Sequence, residues 1–280
     1  IDKAIPEFSQ YLLGKKYLNH KNYFFLVSEN SYTSNSSIFI GSMVAYYLKN
    51  SFNVIFCGCS EGLIHYNNIT KRYGVNILTN PNIHYIDMFF SPYKELIKEE
   101  LPLGEVYAYT FNTLKSKNYY LMNNFYDIEK ETVNMQLLIE TLEKVGKQLS
   151  SDSTQNTILI IDNVSSLPLV NTKDLVGVFY EFCIVNSMSI LLGVNKTLLN
   201  KQVFYDNSKN TGVFSNLDEY SYLSHLADLE FEFTENESGF SKDIDGKVLI
   251  SIKTSIIENS WRLIFKIKEN CVEFMTNLII

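Results

Sequence analysis

Apolar runs and helical patterns alternate along the first two-thirds of the chain. Tyr23–Val27 is an apolar run, Ser28–Ser37 is polar, and Ile38–Lys49 carries an apolar helix pattern. Val54–Cys57 reads as a second strand. Leu63–Tyr73 reads as a helix closed by Gly74, which stands where a helix end favours glycine. Ile83–Met88 predicts a third short strand. The strongest helix signal is Asn134–Leu149, where Met135, Leu138, Ile139, Leu142, Val145 and Leu149 recur at three- and four-residue steps. Ile158–Ile161, ending in Asp162, is a continuous apolar run of the kind found in parallel strands covered on both faces. Thr172 is placed to cap a helix running to about Asn186, and Ser189–Val194 is the next buried strand.

Beyond Val194 the pattern changes. Asn195–Asn216 is a long polar loop, and Leu217–Ala227 predicts a helix. Leu229, Phe231 and Phe233 then alternate with Glu230 and Glu232, as on a half-buried strand. Asp245-Gly246 is a hairpin-turn signal. Val248–Lys253, Trp261–Ile267 and Cys271–Met275 complete an antiparallel meander over about 228–280. Ser91–Lys130, rich in Tyr, Asn and Lys, reads as an irregular insertion. The expectation is one α/β domain over 1–280. Its sheet is mostly parallel, flanked by helices and extended by antiparallel strands.

Composition narrows this picture. With 280 residues, 46% of them hydrophobic, 19 Tyr and 19 Phe, the chain has ample material for a large core. The formal charge of −7 argues against nucleic-acid binding by bulk electrostatics and leaves room only for a local basic patch. The four cysteines are scattered, and an intracellular, reducing setting is expected. Cys57-Gly58-Cys59 with His65 nearby lacks a second ligand pair at zinc-type spacing, so no metal is expected.

The order strand, polar loop, helix, and later a strand ending in an acid is that of P-loop ATPases. Here the loop holds no glycine and no lysine. Laying the phosphate-loop pattern so that it ends where the helix begins puts Asn30 and Asn35 on the glycines. Ser36 then takes the lysine position and Ser37 the Ser/Thr position. Ser36 has no charge to set against terminal phosphates, and Glu29 adds an unfavourable one. A helix N-terminus still attracts anions, but tight ATP binding and hydrolysis are not expected, and no cofactor is assigned. Asp162 stands where a magnesium-organising acid would. Its plainer reading is an acid at a strand mouth that caps the next turn.

This order resembles the RecA-like fold. Further stretches resemble the Elongator complex protein 6 family: Ile64-His65-Tyr66 with Gly74-Val75, Ile158–Asp162, Ser224-His225-Leu226 and, most specifically, Ser238–Val248. The resemblance runs over nearly the whole chain and thins between Ser91 and Lys130. It implies a non-catalytic subunit with a degenerate P-loop, assembled with Elongator proteins 4 and 5 into a heterohexameric ring. That ring binds tRNA and supports wobble-uridine modification by the catalytic Elongator core, in the cytoplasm and nucleus. No membrane partner is implied. In RecA-like rings the loops after the acid-bearing strand and after the next strand tend to face the centre. The resemblance therefore nominates Lys173, Lys196, Lys201 and Lys209 as RNA contacts; without it, lysines in a polar loop are ordinarily a solvated surface.

Other residues carry less. His65 has no nucleophile or second acid placed beside it by sequence, and His20, His84 and His225 are no better supported. Most aromatic rings fall in strand or helix patterns and belong to the core. Tyr107, Tyr109, Tyr119, Tyr120 and Tyr126, in the irregular stretch, are expected at the surface or at a subunit contact. The rival class is an active or interface-dependent ATPase related to recombinases. A Rossmann-type enzyme is disfavoured because no G-x-G-x-x-G follows the first strand.

Overall fold

The computed structural model describes residues 22–30, 36–88, 118–122, 125–127, 132–150, 156–167, 171–199, 219–235, 244–253, 258–268 and 272–276. Its strands are β1 (Phe24–Glu29), β2 (Asn53–Gly58), β3 (Ile83–Asp87), β4 (Tyr119–Leu121), β5 (Tyr126–Asp127) and β6 (Thr132–Val133), followed by β7 (Thr157–Ile161), β8 (Ser189–Asn195), β9 (Leu229–Glu235), β10 (Gly246–Lys253), β11 (Glu258–Ile267) and β12 (Val272–Thr276). The helices are α1 (Ser36–Lys49), α2 (Leu63–Arg72), α3 (Met135–Ser150), α4 (Thr172–Val185) and α5 (Glu219–Leu226).

Ten strands form one sheet in the order β12-β11-β10-β9-β1-β8-β7-β2-β3-β4. From β9 to β4 every pairing is parallel. From β9 to β12 every pairing is antiparallel. β9 is therefore the hinge of the sheet, parallel to β1 on one side and antiparallel to β10 on the other. The period-two alternation of the strands sends side chains to two apolar layers. Phe25, Val27, Val54, Phe56, Ile158 and Ile160 pack under α1 and α2. Phe24, Leu26, Ile55, Leu159 and Ile161 pack under α3, α4 and α5.

Local chemistry explains several element ends. Gly74 adopts φ 75°. Its N–H donates to the Lys71 carbonyl at 2.9 Å, and Val75 N–H donates to the Thr70 carbonyl at 3.0 Å, closing α2. At α4 the expected cap is displaced by one residue. Asn171, not Thr172, accepts from Lys173 N–H and Asp174 N–H, while Thr172 is the first helical residue and is buried. Gly193 permits a close approach: a Cβ there would lie 1.6 Å from the Asp162 carbonyl oxygen, so only glycine lets β8 pass the end of β7.

Three expectations need correction. The segment expected to be irregular holds β4, which pairs in parallel with β3, and β5, which pairs with β6. Tyr120 and Tyr126 are buried in the layer under α3, because these short strands turn their rings inward; Tyr119 is half-buried and donates to Asp87 Oδ2 at 2.6 Å. Tyr107 and Tyr109 lie outside the described residues. Asp245-Gly246 is no turn: Gly246 opens β10 opposite Glu235 and Phe265. Asp245 Oδ2 accepts the Ile267 N–H at 2.5 Å. The Asx side chain that favours turns here serves a neighbouring strand.

Candidate functional site

The C-terminal ends of β1, β7 and β8 and the start of α1 converge where a nucleotide-binding protein of this topology holds phosphate. The polar loop is shorter than its sequence suggests. Ser28 and Glu29 complete β1, and Ser36 and Ser37 open α1. Of the residues laid on the phosphate-loop pattern, Asn30 is exposed, Ser36 is buried and Ser37 is half-buried, and Asn35 lies outside the described residues.

The site carries its own anion. Glu29 is buried at 7% exposure. Its Oε2 accepts from Ser36 Oγ at 2.6 Å, and its Oε1 accepts from Asn195 Nδ2 at 3.2 Å. A carboxylate beside the first residue of a helix is favoured by the exposed N–H groups and positive pole of that end. Glu29 thus sets a carboxylate beside the helix end that receives phosphate in a working loop. Asn195 is held in turn: its N–H donates to Ser165 Oγ at 3.0 Å, and its Oδ1 accepts from Leu198 N–H at 3.1 Å.

Asp162 is 1% exposed. Its oxygens accept from Cys59 N–H at 2.6 Å, Ser60 N–H at 3.1 Å, Ser60 Oγ at 2.9 Å and Glu61 N–H at 3.1 Å. Tyr66 Oη at 3.2 Å and Asn163 N–H at 2.7 Å also donate to it. Two carboxylate oxygens have about four lone-pair sites, so six donor groups leave no capacity for a metal ion. Asp162 pins the β2–α2 turn, far earlier in the sequence, and the turn that follows it is capped instead by Asn163, whose Oδ1 accepts from Ser165 N–H at 3.1 Å. Burial pushes its carboxyl above the usual range; the bonds from Cys59, Ser60 and Asn163 offset only part of that. Burial, and then the Asp162 charge, push the Cys57 and Cys59 thiols well up, which keeps both protonated. Among the described residues no group of three or more His, Cys, Asp or Glu is arranged to hold a metal ion. His65 packs edge-on against the Tyr66 ring, centroids 5.2 Å apart.

Of the four nominated lysines, Lys201 and Lys209 lie outside the described residues. Lys173 sits in the first turn of α4 with its Nζ 5.8 Å from the centroid of the Tyr222 ring. Lys196, directly after β8, is 2.7 Å from Glu232 Oε1 and 3.9 Å from the Tyr220 ring centroid. The two lysines are thus carried by different elements and backed by different aromatic rings of α5. Sequence reasoning missed Asn195 and Glu232. Both are long-range partners, and Glu232 is visible in sequence only as the polar half of an alternating strand.

A second polar cluster lies beside the first. Glu230, 6% exposed, accepts from Tyr220 Oη, from Ser224 Oγ at 2.9 Å and from Lys253 Nζ at 3.0 Å. Ser28 Oγ lies 3.4 Å from Tyr220 Oη. This cluster joins α5 to β1, β9 and β10.

A family model described as Elongation complex protein 6 matches residues 6–268. No curated protein sequence matches the chain. Among solved structures the chain is similar to an uncharacterised Pyrococcus horikoshii protein crystallised with an unknown peptide, at TM-score 0.59 and 15% identity, covering 97% of each chain. It is also similar to a KaiC-like protein of Pyrococcus horikoshii, at TM-score 0.50 and 11% identity over 91% of this chain and 90% of that one. A third likeness is to the flagellar accessory protein FlaH of Methanocaldococcus jannaschii, at TM-score 0.50 and 12% identity over 93% and 94%. At these identities the structural likenesses establish the RecA-like fold.

Proposed function

The chain belongs to the Elongation complex protein 6 family, and from that premise we propose that it is a non-catalytic member of a heterohexameric ring that binds tRNA. Its ring partners are Elongator proteins 4 and 5. The ring supports modification of wobble uridines by the catalytic Elongator core, and the subunit works in the cytoplasm and nucleus. Lys173 in the first turn of α4, Lys196 directly after β8, and Lys201 and Lys209 further along the sequence supply its RNA contacts.

One observation carries the non-catalytic part of this reading: both positions that would serve a nucleotide are already consumed. Glu29 lies against Ser36 at the start of α1, and Asp162 spends its oxygens on six donors of its own chain. A triphosphate brought here meets a buried carboxylate and a loop whose sequence holds no lysine, and like charges at such distances repel strongly.

The test is magnesium-dependent ATP turnover by the complex reconstituted with its two partners, with and without Ser37→Ala in this subunit. Ser37 would hold the metal ion in a working loop and is only half-buried, so the substitution leaves the fold intact. An unchanged turnover rate is expected. A rate abolished by Ser37→Ala would assign catalysis to this subunit and overturn the reading. The assembly itself is checked by co-expression, where a one-to-one-to-one complex that shifts labelled tRNA is the expected result.

A further inference from the structure

We propose that Glu232 is a built-in mask over Lys196, so that this lysine reaches an RNA phosphate only when its own carboxylate partner is displaced. The proposal rests on the tRNA-binding reading above and concerns how one contact of that surface is regulated.

Five features converge on it. The Lys196 ammonium is 2.7 Å from Glu232 Oε1, with side-chain exposures of 16% and 24%. The Tyr220 ring also packs on the ammonium, 3.9 Å from its centroid, close enough for a cation–π contact. Asn30 Nδ2 donates to the same Glu232 oxygen at 3.1 Å. Glu232 belongs to β9, which pairs with β1 and β10, so its carboxylate rides on a rigid sheet rather than on a loop. Thr197 Oγ also donates to the Asn30 carbonyl at 2.6 Å, tying the start of the post-β8 segment to the end of β1. A lysine free in solvent takes whatever anion arrives; this one is enclosed by an anion and an aromatic face that are themselves fixed.

The arrangement predicts how charge variants of the full reconstituted complex bind a labelled tRNA. Glu232→Gln removes the opposing charge and keeps the oxygen that Asn30 needs. It should tighten binding about threefold at low salt and steepen the salt dependence by about one unit of log–log slope for each copy of the subunit, the increment expected for one added phosphate contact. Removing any acid raises affinity for a polyanion slightly, so Glu143→Gln on the exposed face of α3 serves as the bulk-charge control and should leave the slope unchanged. Lys196→Ala combined with Glu232→Gln should lose the gain. Thermal melting of each variant identifies any that fail to fold. A Glu232→Gln complex with unchanged slope, or a gain that survives Lys196→Ala, overturns the mask while leaving tRNA binding standing. A wild-type complex that binds no tRNA removes the broader reading and the mask together.

Discussion

Two buried carboxylates, one at each side of the sheet's centre, are stabilised in different ways. Asp162, at the mouth of β7, is surrounded by dipoles: four backbone N–H groups and two hydroxyls. Glu230, on β9, has two hydroxyls and the full charge of Lys253. Burial raises both, but only at Glu230 do Tyr220, Lys253 and Ser224 together outweigh it and hold the carboxyl below its ordinary range. At Glu230 the Tyr220 hydroxyl is the largest opposing influence and the Lys253 charge adds to it, whereas the neutral donors around Asp162 fall short of offsetting its deeper burial.

Substitutions at the two acids and their partners should separate them by size of effect. Asp162→Ala orphans six donors at once and should cost about 4 kcal/mol, read as the shift in urea midpoint at constant slope. A loss below about 1 kcal/mol would show that the donors find water instead. Lys253→Met leaves Glu230 charged without its cation and should cost about 2 kcal/mol. The double variant Lys253→Met with Glu230→Leu should recover most of that, because a well-packed apolar pair replaces a buried ion pair at little net loss. Stability against pH separates the two acids more finely. The folded pKa of Glu230 is depressed, so its contribution is complete above the unfolded carboxylate value and disappears as pH falls through the folded one. Glu230→Gln should therefore flatten the acid limb of the stability curve; an unaltered limb would mean that the folded protein does not hold the Glu230 carboxyl below its unfolded value. The smallest effect belongs to Ser28→Ala, which removes a 3.4 Å contact to Tyr220 Oη and should cost about 0.5 kcal/mol in the same denaturation assay.

The elements bearing strong local patterns were legible from the residues alone. Ile158–Ile161, Ser189–Val194 and the periodic helix over Asn134–Leu149 lie within a residue or two of their observed ends, because a buried parallel strand or an amphipathic helix announces itself in its own side chains. Gly74 at the end of α2 was readable for the same reason. β4 and β5 were not. Their stretch is Tyr- and Asn-rich, and what makes Tyr119–Leu121 a strand is its pairing with Tyr85–Asp87 more than thirty residues earlier. The candidate site divides along the same line. The missing lysine and glycines and the intrusive Glu29 could be read directly. That Glu29 would be met by Ser36 and Asn195, and Lys196 by Glu232, depends on strands brought together only by the fold.

The Glu29 carboxylate has one further consequence. It hangs from the strand that leads into α1, so it cannot diffuse away, and its local concentration does not fall when the surroundings are dilute. A free anion arriving at that helix competes with a tethered rival that is replenished by every bond rotation. Placing a lysine at position 36 would by itself give that rival a salt-bridge partner rather than recruit a phosphate. Nucleotide grip could return only with the tether cut as well.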